Sequence, residues 1–155
     1  MSVSFESIVI RGATAEDAHA LAQFNIAMAE ETEDRALDPV TVHAGVRAVI
    51  QSPARGFYLV AESDGACVGA LLITFEWSDW RNGDLWWIQS VYVLPSHRGR
   101  GIFRQLYEHV VAQATENSDV RGIRLYVEKD NLKAQTVYEH LSMTRTPYQV
   151  FERMF

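Results

Sequence analysis

Residues 90–103 read SVYVLPSHRGRGIF, an alternating apolar run that passes through a proline into Arg-Gly-Arg-Gly and then into an apolar-periodic segment. Two glycines at a strand-to-helix junction constrain the fold, because glycine alone takes up left-handed backbone conformations at little cost. They also constrain the chemistry. The first amides of a helix lack acceptors of their own, and the helix dipole favours an anion beside them. Arg98, Gly99, Arg100 and Gly101 thus outline a phosphate cradle. Two phosphate motifs are excluded by spacing. No Gly-Lys pair exists for a nucleoside-triphosphate loop, and Arg104 stands where the third glycine of a dinucleotide fingerprint belongs. This disfavours a nicotinamide or flavin oxidoreductase.

The rest of the pattern says what surrounds the junction. Residues 7–11 read as a short strand, and Thr14 with Asp17 three residues on reads as a helix start, with Ala18, Leu21, Ala22 and Met28 on one face before the helix dissolves into EETEDRALD. Asp38 followed by Pro39 opens a second helix with a stripe of Val42, Val46, Val49 and Ile50, ended by Ser52 and Pro53. FYLVAES and CVGALLITFE flank Asp64-Gly65, a hairpin signal, and LWWIQSVYV follows the turn residues Asn82 and Gly83. After the glycines, Ile102, Leu106, Val110 and Ala114 recur every four residues. GIRLYVEK reads as a strand, residues 131–141 as a short helix and YQVFERMF as a closing strand. The expected order is β-α-α-β-β-β-α-β-α-β, a mixed α/β (α+β) sheet with helices on its faces.

The chain has 155 residues, 48% of them hydrophobic, which suits one domain, residues 1–155, able to bury its own core. Cys67 is the only cysteine, so a disulfide within the chain and a zinc cage of several thiolates are both excluded, and no metal site is expected. The start MSVSFESIVI lacks the basic and apolar regions of a signal peptide, and no run approaches the roughly 18 apolar residues of a membrane span, so a cytoplasmic protein without a membrane partner is expected. A net charge of −6 argues against nucleic acid and suits a small cationic partner.

The element order, VYVLPSHRGRGIF and the later EKDNLKAQTVYEHLSM together resemble the GNAT N-acetyltransferase superfamily over nearly the whole chain. The family's Arg/Gln-x-x-Gly-x-Gly/Ala motif maps onto positions Arg98, Gly101 and Phe103, and its final segment resembles Asn131, Ala134, Tyr138 and Leu-Ser-Met at 141–143. The resemblance implies acetyl-CoA as donor, with its pyrophosphate on the backbone amides of Arg98, Gly99, Arg100, Gly101, Ile102 and Phe103. It places the pantetheine arm along Val91, Tyr92 and Val93, where two parallel strands splay. Phe103 departs from the family's small residue, so either the register is Ser96, Gly99, Gly101 or the helix start tilts to admit the ring. Gln89 also departs, standing where the family often has a carboxylate.

Acetyl transfer to an amine needs a neutral amine, a stabilised oxyanion and a proton for the departing thiolate. Alkyl amines have a pKa of about 10.4, so a base is useful, and Glu76 is the first candidate; another carboxylate or water is the alternative. The resemblance implies a backbone amide of Val91 or Tyr92 for the oxyanion, Tyr138 as general acid and Asn131 near the pantetheine. Glu31 and Glu33, in the acidic run after the first helix, together with Trp77, Asp79 and Gln89, are expected to receive a small cationic amine through charge and cation–π contacts. This region is faintly like that of the diamine N-acetyltransferases. A catalytically silent acetyl-CoA sensor, or an acetyltransferase acting on a protein N-terminus or lysine, are the alternatives. A homodimer is compatible with each.

Overall fold

Local signals set the helix starts. The Asp17 carboxylate accepts from the Thr14 amide at 2.7 Å, and Asp38 accepts from the Thr41 amide at 3.1 Å with Pro39 in the first helical position. The computed structural model describes residues 7–155, so part of MSVSFESIVI lies outside the described residues. It contains two units, one ending at Leu125 and the other Tyr126–Phe155.

In the first unit, β1 (Ile8–Gly12) leads through a short 3-10 turn into α1 (Ala18–Glu33) and α2 (Pro39–Gln51). Strands β2 (Phe57–Ser63), β3 (Ala66–Ser78) and β4 (Gly83–Val93) follow as a meander, then α3 (Ile102–Glu116) and β5 (Val120–Arg124). Strand order equals chain order, β1-β2-β3-β4-β5. The first three pairings are antiparallel; β4 and β5 are parallel, and α3 supplies the crossover that parallel strands require. Asp64 and Gly65 both have positive φ, the geometry of a two-residue hairpin between β2 and β3.

Strand alternation gives the sheet two apolar faces. On one, Leu21, Ala22 and Phe24 of α1 and Val46 of α2 pack on Tyr58, Val60, Ala70 and Tyr92. On the other lies α3, whose buried stripe Ile102, Leu106, Val110 and Ala114 packs across all five strands. Gly69 makes room there, since a Cβ would sit 3.3 Å from the Ile102 side chain. Each fully buried Leu or Ile contributes about 1.5–3 kcal/mol by leaving water.

Three expectations are corrected. The first helix does not dissolve at Glu30 but continues to Glu33, ending where Asp34 turns left-handed at φ 48°. The fifth strand begins earlier than GIRLYVEK, at Val120, and stops at Arg124, where its ladder with β4 stops. The segment YQVFERMF forms no strand: among the described residues it has no ladder partner, and Tyr148, Val150, Phe151, Met154 and Phe155 are exposed. Apolar alternation supplies a face, not the hydrogen bonds that make a strand. The second unit contains one helix, α4 (Leu132–His140). No helix among the described residues is long and apolar enough to cross a membrane.

Candidate active site

The middle of β4 is irregular. Ala70 pairs with Tyr92 but Leu72 pairs with Gln89, so β4 carries one extra residue there, and Ser90 has φ 51°. This is a β-bulge, which redirects backbone groups and breaks pairing. The parallel ladder to β5 ends just before it, at Trp87 and Arg124. Past the bulge the Leu94 amide donates to Val68 of β3 at 2.9 Å, whereas the Val93 carbonyl accepts from Arg98 Nε at 2.9 Å. By the two-residue repeat, the backbones of Val93 and Val91 face away from β3. A non-glycine residue at positive φ is uncommon, so nothing in the sequence announces Ser90.

The chain then turns through Pro95–His97 into the glycines. Gly99 and Gly101 have φ 76° and 75°, and among the described residues, adjacent ones aside, no atom lies within 4 Å of where a Cβ would stand on either. α3 starts immediately after, its first helical bond running from the Gln105 amide to the Gly101 carbonyl at 3.1 Å. The amides of Ile102, Phe103 and Arg104 therefore have no acceptor within the helix. Phe103 lies inside α3, its ring 6.2 Å from that of Tyr107, one turn on, so the two left-handed positions are Gly99 and Gly101. This turn fits a phosphate group: it is open, glycine-lined and closed by a helix N-terminus.

Arg98 does not simply extend to solvent. Its Nη2 meets Glu31 Oε2 at 2.7 Å, its guanidinium carbon stands 5.4 Å from the centre of the Tyr92 ring, and the Tyr92 hydroxyl donates to Glu31 Oε1 at 2.8 Å. The Arg98 guanidinium, and after it the Tyr92 hydroxyl, hold the Glu31 carboxyl below its ordinary pKa. Burial, and then Glu31, push the Tyr92 phenol up.

Beyond the reach of α1 and α2 the same sheet face turns polar. Gln89 Nε2 donates to Thr74 Oγ1 at 2.6 Å; Trp87 Nε1 donates to Glu76 Oε1 at 3.2 Å, and Arg124 Nη1 meets Glu76 Oε2 at 2.9 Å. Thr74, Glu76, Trp87, Gln89 and Arg124 form one strip beside the end of the β4–β5 ladder. Glu76 lies opposite Leu85, with Gln89 opposite Leu72, so the two belong to the same strand pair without being cross-strand partners. The tryptophans do not gather. Trp86 is buried on the opposite face against Phe57, while Trp77 and Trp80 are 62% and 86% exposed near the β3–β4 turn, where Asp79 caps the Trp80 amide at 3.0 Å. Glu33 is exposed at the end of α1.

In the second unit, Asn131 Oδ1 accepts from the Ala134 amide at 3.1 Å and caps α4, two turns before Tyr138. Burial pushes the Tyr138 phenol above its ordinary pKa. The buried Gln135 amide donates to the Lys129 carbonyl at 2.9 Å and to that of Glu128, and its oxygen accepts from Arg145, which fastens both flanks of α4. Thr74, Arg124 and Gln135 carry no local sequence signal, because each is defined by a partner brought close only by folding.

A mixed sheet whose fourth strand is bulged where its parallel pairing ends, and which feeds an open glycine turn at a helix N-terminus, is an α/β fold with a turn that fits a phosphate group. The acetyltransferase (GNAT) family model matches residues 20–143, and the chain belongs to that family, as an acyltransferase. A possible acetyltransferase from Clostridium difficile 630 is 39% identical, with a TM-score of 0.90 over 97% of this chain and 99% of that one. Aminoglycoside N-acetyltransferase AAC(6')-Iy, in complex with CoA, shares the fold at a TM-score of 0.79 and 17% identity, over 99% of each chain. N-alpha-acetyltransferase 40 of Saccharomyces cerevisiae is 34% identical over 67 residues, 39% of this chain; the match spans 24% of that protein's length.

Proposed function

We propose that this protein transfers the acetyl group of acetyl-CoA to a primary amine of a small cationic molecule, by direct attack in a ternary complex in the cytoplasm. The observation that carries the donor assignment is the pair of left-handed glycines, open on the side a Cβ would fill, at the start of α3. Acetyl-CoA, when bound, supplies a thioester that an amine can attack. The chain supplies the rest. Backbone amides from Gly99 to Phe103 hold the pyrophosphate, the Arg98 amide being turned to the Pro95 carbonyl, and the β4 edge at Val91 and Val93 that faces away from β3 lies along the pantetheine and offers an amide to the developing oxyanion.

The acceptor lies on the polar strip. Gln89 is an amide and takes no proton, so the nearby carboxylate of Glu76 receives the amine's proton, directly or through water. Tyr138 donates a proton to the departing sulfur, and its raised pKa keeps that proton on the phenol at neutral pH. Asn131 and Ala134 start the helix that carries it, and one domain spans residues 1–155. Glu33, Asp79 and the exposed Trp77 add negative potential and aromatic surface that attract a cation. The similarity to N-alpha-acetyltransferase 40 favours a second reading, in which the acceptor is a protein N-terminus.

Calorimetric titration with CoA, acetyl-CoA, NAD and ATP tests the donor. Heat is expected with the two CoA species only, and Gly101→Asp, which puts a side chain at φ 75° and a negative charge at the helix start, weakens their binding at least about tenfold. Comparable NAD binding, or unchanged affinity in a folded Gly101→Asp variant, overturns the assignment.

A further inference from the structure

The side chain of Arg98 is occupied on the side of the loop where α1 ends. Its Nε is bonded to the carbonyl of Val93, the last residue of β4, and its Nη2 to Glu31 in the last turn of α1. The guanidinium also sits by the Tyr92 ring, and Tyr92 donates to the second oxygen of the same Glu31. Four groups from three places in the chain are closed into one network. Its two ends are 67 residues apart in sequence.

We propose that Glu31 and Arg98 form a latch that fixes the turn at residues 99–101 in its anion-accepting shape, which makes Arg98 a positioning residue rather than a phosphate ligand. The reasoning is geometric. Among the described residues nothing stands where a Cβ of Gly99 or Gly101 would be, so no side-chain packing restricts the turn; only the Gly101 carbonyl is tied, by the Gln105 amide, and glycine is the residue with most backbone freedom to lose. Something adjacent must restrict the turn, and Arg98 is the residue that begins it. A planar fork with donors at Nε and Nη2 can hold the Val93 carbonyl and the Glu31 carboxylate together, whereas a lysine ammonium has its three donors on a single nitrogen and cannot span the two in one fixed plane. Glu31 is correspondingly committed to the loop, and the charge that attracts an acceptor falls to other carboxylates. Arg98 and Glu31 are 47% and 39% exposed, so charge attraction alone is weak here, and the latch depends on the joined hydrogen bonds and the ring contact.

The consequence for turnover rests on the acetyl-CoA reading above, whereas the latch is made of this chain's own groups alone. Amide hydrogen exchange of the ligand-free protein is therefore the first measurement. Glu31→Gln, Arg98→Ala and Arg98→Lys should each speed exchange at residues 99–103 by about tenfold while leaving β2 and β3 unchanged. In steady state each variant should raise the KM for acetyl-CoA about tenfold with kcat within about twofold. The double variant Glu31→Gln/Arg98→Ala should match Arg98→Ala, where independent effects would multiply to about a hundredfold. Unchanged exchange at the turn in Arg98→Ala overturns the latch. So does full rescue by Arg98→Lys with multiplying effects in the double variant, which would mark Arg98 as a direct charge on the phosphate. If the wild type binds no CoA species, the donor assignment fails, and the exchange measurement still decides the latch.

Discussion

At the scale of single residues, a side chain's role here follows from its partners more than from its type. Tyr138 is the clearest test, because Tyr138→Phe keeps the ring and removes only the hydroxyl. Turnover should fall by about 100- to 10,000-fold, with acetyl-CoA affinity nearly unchanged in calorimetry. Burial raises this phenol's pKa above its ordinary 10, so the protonated form is the one the fold favours. That contribution to stability is complete below pH 10 and is lost as pH rises through the folded-state value. Proton donation by Tyr138 should accordingly survive up to at least the ordinary phenol value of 10, so it does not set an alkaline loss of turnover below that pH, and a Tyr138→Phe enzyme with full turnover would leave the residue a packing aromatic. The helix starts at Thr14 and Asp38 were legible in the sequence, because each capping residue and its hydrogen-bond partner lie three residues apart. The ties of Arg98 to Glu31 and of Glu76 to Arg124 were not, since they join positions 67 and 48 residues apart.

At the scale of elements, β2, β3 and β4 could be read directly, because their turns carry Asp-Gly and Asn-Gly and their faces alternate. The end of β5 and the absence of a closing strand could not, because a strand's limits are set by its neighbour's ladder. Gly56, just before β2, shows how tightly the meander is closed. Its φ is 151°, and a Cβ would lie 2.1 Å from the carbonyl oxygen of Ile73 in β3, so a side chain there must push backbone apart. Gly56→Ala should cost at least about 3 kcal/mol in urea unfolding. Gly12→Ala, at a position with open space and no positive φ, should stay within about 1 kcal/mol. Equal midpoints for the two variants would contradict the packing described for the β2–β3 pair.

At the scale of the whole molecule, a net charge of −6 and an acidic run at the end of α1 face the question of what is acetylated. The family places acyl transfer on this chain, and the polar strip of Thr74, Glu76, Trp87 and Gln89 is where the acceptor is proposed to bind. That a family lay behind the pattern was legible, since the glycine turn, its strand and its helix are contiguous in sequence. The strip was only half legible: Glu76 and Gln89 are chemically conspicuous, whereas Thr74 and Arg124 join them only through the sheet register. The most direct test is thiol release from acetyl-CoA, measured with a diamine, a matched monoamine, an aminoglycoside and a peptide with a free N-terminus, with mass spectrometry of each acceptor. Release should depend on an amine and yield the acetylated acceptor, with kcat/KM for the diamine at least about tenfold above the monoamine, equivalent to about 1.4 kcal/mol of recognition of the second charge. Binding of acetyl-CoA with no acceptor raising release above background would contradict the proposed amine acetylation.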